Sequence, residues 1–94
     1  SNVTAVVSSV DTAYSLELDP AAQKIYWTEY AQNKVRRADY DGSNIVDLGT
    51  AADGISGPLG LELDLANSAV YFAEDGGARI SRLDIAGGNR TTLY

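Results

Sequence analysis

Residues 24–48 read KIYWTEYAQNKVRRADYDGSNIVDL, and residues 69–93 read AVYFAEDGGARISRLDIAGGNRTTL. The second stretch is a worn copy of the first. Setting Leu16 against Leu61 and continuing without a gap to Gly49 against Tyr94 gives 34 pairs at a constant offset of 45 residues. Twelve pairs are identical: Leu16/Leu61, Glu17/Glu62, Leu18/Leu63, Asp19/Asp64, Ala21/Ala66, Tyr26/Tyr71, Glu29/Glu74, Arg37/Arg82, Asp39/Asp84, Gly42/Gly87, Asn44/Asn89 and Leu48/Leu93. Average residue usage would give roughly two identities over such a span. The repeat is therefore a true duplication. Residues 4–48 form one unit and 49–94 the next, and residues 1–3 are expected to be an N-terminal extension or cloning remnant.

Each unit reads as four short strands. SLELD and GLELD alternate apolar with acidic residues, KIYWTE and AVYFAE are β-branched and aromatic runs, KVRRADYDG and RISRLDIAG alternate again, and NIVDL and NRTTL close the unit. Asp19 and Asp64 stand where a turn must open, and the Asp41-Gly42 and Gly87-Gly88 pairs supply the positive φ that tight hairpins need. No stretch keeps helical periodicity over ten residues. A four-stranded antiparallel unit recurring every 40–45 residues or so is the signature of a β-propeller blade.

Composition narrows the function classes. A net charge of −6 argues against a phosphate-backbone partner, since nucleic-acid binding rests on a basic surface that releases counterions. No apolar run approaches the roughly 18 residues a membrane span requires. The sequence has no Cys and no His, which removes thiol nucleophiles, Ser-His-Asp triads and most zinc sites together. No cofactor, no metal and no enzymatic activity are expected. The run Asp39–Asn44 resembles a calcium loop only superficially: its copy at Asp84–Asn89 loses the second carboxylate, so both read as hairpins.

The combination of YWTE, a basic-apolar strand, ADYDGSN and then Pro58 before GLELD resembles the YWTD repeat, the class B repeat of the low-density-lipoprotein receptor family. That resemblance covers nearly the whole chain and implies six-bladed β-propellers, an extracellular or cell-surface setting, and protein ligands bound on one rim of the disc. The second copy departs further from the motif, with Tyr71-Phe72-Ala73-Glu74 in its place. Both copies carry Glu where the family usually has Asp. On the implied rim lie Glu29, Tyr30, Gln32 and Asn33 from the first copy and Glu74 and Asp75 from the second, which with the acidic net charge favours basic peptides or proteins as partners.

Two blades do not close a ring. Their outer faces, carrying Tyr26, Trp27, Tyr71, Phe72 and the leucine pairs, must be covered, and a head-to-tail contact between copies ends only when a ring closes. Six blades at two per chain predict a homotrimer. Tyr26, Trp27, Tyr71 and Phe72 are expected as inter-blade packing, and Arg37 and Arg82 as structural ion-pair partners. Glu17 and Glu62 fall on the inner strand, where they either pair with those arginines or place carboxylates around a central channel. Three functions remain in play: a binding or scaffold module, a purely structural minimal propeller, and a calcium-assisted, lactonase-like hydrolase using the channel carboxylates.

Overall fold

The structure, a computed structural model, describes residues 13–93. The N-terminal extension expected at 1–3, and the start of the first repeat with it, lie outside the described residues. Eight strands run in chain order: β1 (Ala13–Asp19), β2 (Lys24–Glu29), β3 (Lys34–Asp39), β4 (Val46–Gly49), β5 (Pro58–Asp64), β6 (Ala69–Glu74), β7 (Arg79–Asp84) and β8 (Thr91–Thr92). They form two antiparallel four-stranded sheets of order β1-β2-β3-β4 and β5-β6-β7-β8. The chain is thus all-β, two propeller-type blades, one per sequence repeat.

Turn chemistry sets the strand ends. The Asp19 carboxylate accepts from the Ala22 N–H at 3.4 Å, and that of Asp64 from the Asn67 N–H at 3.3 Å. The second of these turns winds into a single 3-10 turn at Leu65–Asn67. Gly42 and Gly87 adopt φ of 87° and 102°, as the hairpins demand. The 39–44 and 84–89 runs are hairpins, each tied by an asparagine amide, Asn44 or Asn89, donating to Asp39 or Asp84. Between the sheets, Thr50 and Asp53 form a reciprocal capping box on a 3-10 turn at Ala51–Asp53.

Strand pairing decides which side chains share a face. Leu16 stands opposite Trp27 and Leu18 opposite Ile25, while Glu17 stands opposite Tyr26. In the second sheet Leu61 pairs with Phe72 and Leu63 with Val70. The core forms where the Tyr26 face of the first blade meets the Phe72 face of the second. It buries Tyr26, Val35 and Leu48 against Leu61, Val70, Phe72 and Leu83, with Ile55 of the connecting segment wedged among them. Gly49 packs closely at this joint: a Cβ there would stand 2.5 Å from Ile55 Cδ1 and would push the tips of Ile55 and Leu83 aside. A separate, smaller cluster of Ile25, Trp27 and Ala38, with Tyr40 against it, lies on the opposite face of the first blade. Among the described residues, no second sheet packs on that face.

The four aromatics expected between blades therefore divide. Tyr26 and Phe72 meet in the joint. Trp27 is buried in the smaller cluster, and Tyr71 is half-buried on the free face of the second blade.

Candidate functional site

Polar contacts lock the joint between the blades. The Thr28 hydroxyl donates to the Leu59 carbonyl at 2.7 Å, the Arg37 guanidinium to the Ile85 carbonyl at 3.1 Å, and the Gly88 N–H to the Leu48 carbonyl at 2.9 Å. At one rim the Tyr30 hydroxyl donates to the Asp75 carboxylate at 2.9 Å. Beside it the Asn33 side-chain oxygen accepts from the Gly57 N–H at 2.8 Å, and the Asp75 N–H donates to the Gly57 carbonyl at 2.8 Å. Gly57 holds φ +62°, and a Cβ there would press on Tyr30, Asp75 and Gly76, so the rim closes around a glycine.

The structure brings Tyr30, Asn33 and Asp75 together, with Gln32 exposed in the same turn. It adds Tyr14, which sequence reasoning missed. This exposed ring lies 6.4 Å from that of Tyr30, tilted by 37°. The signal was present in the sequence: an aromatic at the start of the inner strand pairs across to the end of the next strand, because Ala13 stands opposite Glu29.

Glu29 and Glu74 do not belong to the rim. Both are buried at 2% exposure and enclosed by hydrogen-bond donors. Glu29 pairs in register with Lys34, and its carboxylate accepts from the Trp27 indole N–H at 2.7 Å and from Arg36 at 3.1 Å. Glu74 pairs in register with Arg79 and accepts from Arg79 at 2.9 Å, from Arg90 at 2.7 Å, from the Ser56 N–H at 2.9 Å and from the Ser81 hydroxyl. Burial opposes ionisation of Glu74, but those donors outweigh it and hold its carboxyl below the usual range. A carboxylate so enclosed is a structural cross-link.

The inner-strand pair also differs from its expected ion pairing. Glu17 is half-buried and Glu62 exposed. Arg37 reaches the Ile85 carbonyl and Arg82 the Asp84 carboxylate at 2.8 Å, so neither arginine bonds an inner-strand glutamate.

Some joint residues have exposed apolar counterparts on the free faces, although Ile25, Trp27 and Ala38, the counterparts of Val70, Phe72 and Leu83, are buried. Leu61 is 4% exposed in the joint, and its counterpart Leu16 is 54% exposed. Val35 and Leu48 are buried at 0% and 2%, while their counterparts Ile80 and Leu93 stand 43% and 48% exposed. One free face repeats the second blade's half of the joint, and the other repeats the first blade's half.

No protein-family model matches the chain, and no curated protein matches it. Among solved structures the chain is similar to one in the crystal structure of the Nidogen/Laminin Complex, with a TM-score of 0.80, 20% sequence identity, and coverage of 90% of this chain and 32% of that one. This chain thus spans about a third of the length of the chain it matches. The likeness is one of fold.

Proposed function

We propose that this chain is a non-catalytic propeller module, a binding and scaffold unit whose two blades are completed by like blades, and that the 94-residue chain completes them with further copies of itself as a closed trimer. One observation carries the reading. Leu61, Val35 and Leu48, buried in the internal joint, have exposed counterparts on the free faces, Leu16 on one and Ile80 and Leu93 on the other. Covering about 50 Å² of apolar surface per side chain is worth roughly 1 kcal/mol at 25 cal/mol per Å², so several such residues per face supply a substantial drive to associate. The contact is heterologous, front to back, and mixing tests this directly. Leu16→Asp blocks one face and Ile80→Asp the other. Each variant alone is expected to be monomeric, and an equal mixture to give a one-to-one dimer through the two intact faces. A mixture that stays monomeric would refute the front-to-back contact.

The assembled disc offers its rim for partners. Tyr14 and Tyr30 form an exposed aromatic pair beside the Asp75 carboxylate. Such a patch suits a basic, partly apolar segment of a protein: the rings supply contact area at little entropic cost and the carboxylate supplies charge. Repetition around a ring converts weak single contacts into avidity. In a pull-down with basic peptides, binding is expected at low ionic strength and loss of it at high. The combination Tyr30→Ala with Asp75→Asn should abolish it; retention of binding by that variant would place the binding away from this rim, and no binding at low ionic strength would leave the purely structural reading.

A further inference from the structure

Ala22, Gln23, Lys24, Asp39, Tyr40 and Asp41 bound an open cavity of about 290 Å³ on the first blade. We propose that this cavity is a socket for a guanidinium group, and that its occupant is Arg82 of a second copy of this chain. The inference deepens the like-blade assembly proposed above and rests on it.

The internal joint is the template. Advancing each lining residue by one repeat gives Asn67, Ser68, Ala69, Asp84, Ile85 and Ala86. That is the place on the second blade where Arg37 lands, its Nη1 donating to the Ile85 carbonyl at 3.1 Å. The two places share their backbone geometry: the Tyr40 N–H donates to the Gln23 carbonyl at 3.0 Å, and the Ile85 N–H to the Ser68 carbonyl at 2.8 Å. By repeat equivalence the carbonyl of Tyr40, a residue that lines the cavity, corresponds to the Ile85 carbonyl that receives Arg37. The counterpart of Arg37 is Arg82. It lies on the free face of the second blade, beside Tyr71 as Arg37 lies beside Tyr26.

Charge favours the same occupant. Where the second blade has Ala86, the cavity has Asp41, so its lining holds two carboxylates. Lys24 pairs with Asp39. Asp41 accepts from the Ser43 N–H and hydroxyl, with no cation on it among the described residues. Arg82 pairs with Asp84 through Nη1. A guanidinium has five N–H donors in a planar fork, so that pairing leaves others to cross to a carbonyl.

A charge exchange tests the socket. Ala22, exposed in the turn that borders the cavity, is changed to Arg, and Arg82 to Glu, singly and together, and the self-association constant of each 94-residue chain is measured by sedimentation equilibrium. Each single change is expected to weaken association about tenfold or more, by like charge or by loss of the donor. The double variant should recover to within about threefold of the unaltered chain, because the exchanged pair attracts again. Association of Arg82→Glu equal to that of the unaltered chain, or a double variant as weak as the two singles multiplied, overturns the socket while the assembly stands. An unaltered chain that is monomeric at every concentration overturns the assembly and the socket together. Should Arg82→Glu fail to fold, Ala22→Trp decides, since it fills the cavity and leaves Arg82 and Asp84 paired. A tenfold or so loss of association supports the socket, and no change refutes it.

Discussion

Tyr30 and Asp75 hold the same position in successive repeats, 45 residues apart, and their side chains meet across the blade joint with the hydroxyl donating to the carboxylate at 2.9 Å. Divergence between the copies has made a donor of one and an acceptor of the other. The hydrogen bond to Asp75 and its negative charge stabilise the neutral phenol, which raises the ionisation of Tyr30 above the ordinary tyrosine range. Tyr26 is raised as well, by burial, partly offset by Arg37.

The first prediction follows from that contact. In a pH titration followed by ring NMR signals, Tyr30 should ionise above about 10, and Asp75→Asn should bring it back down. Because a raised phenol stabilises the fold fully below the unfolded value and loses that contribution as pH climbs, the contribution of this contact to stability is expected to fade above about pH 10. A Tyr30 titration unaffected by Asp75→Asn would break the link.

Glu74 joins two arginines, a hydroxyl and a backbone N–H in a water-poor site. Removing the acid leaves buried donors and cations without a partner, so Glu74→Ala should cost about 3–5 kcal/mol in denaturant unfolding. A cost below about 1 kcal/mol would mean the site opens to water.

Acid should find the same network. The carboxyls of Glu74, Asp39, Asp41 and Asp84 are all held low: Glu74 by donors that outweigh its burial, Asp39 by Lys24 and Asn44, Asp41 by Ser43, and Asp84 by Asn89 and Arg82. A depressed carboxyl contributes stability above its unfolded value, near 4, and loses it as pH falls toward the folded one. Stability should therefore decline below about pH 4, and less steeply in Glu74→Gln. Equal slopes for the two chains would contradict the assignment.

Trp27 is buried with its indole N–H on Glu29, and Arg36 stands 6.0 Å from its ring. Trp27→Ala should cost about 3–5 kcal/mol. A change under about 1 kcal/mol would identify the indole as exposed and free for recognition.

The blades were legible because two periodicities coincide in the sequence: the 45-residue repeat and the two-residue alternation of SLELD and GLELD. The joint was half legible. Alternation alone does not say which face of a blade meets its neighbour, so Tyr26 and Trp27, adjacent in sequence, were grouped together although the pleat sends them to opposite faces. Glu29 and Glu74 misled for a related reason. A glutamate before a loop reads as solvated until the fold sets Arg36 on Glu29 and Arg79 on Glu74. Tyr30 and Asp75 were legible as surface positions because loop residues keep their side chains exposed, whereas their mutual contact depends on the angle between blades, which no local pattern encodes.

If blades of this kind are completed by their own copies, sedimentation equilibrium of the unaltered 94-residue chain will register the assembly. The account predicts a species of three 10.0 kDa chains that dissociates on dilution, with folding and association coupled. A folded monomer of 10.0 kDa whose mass does not change with concentration would contradict it.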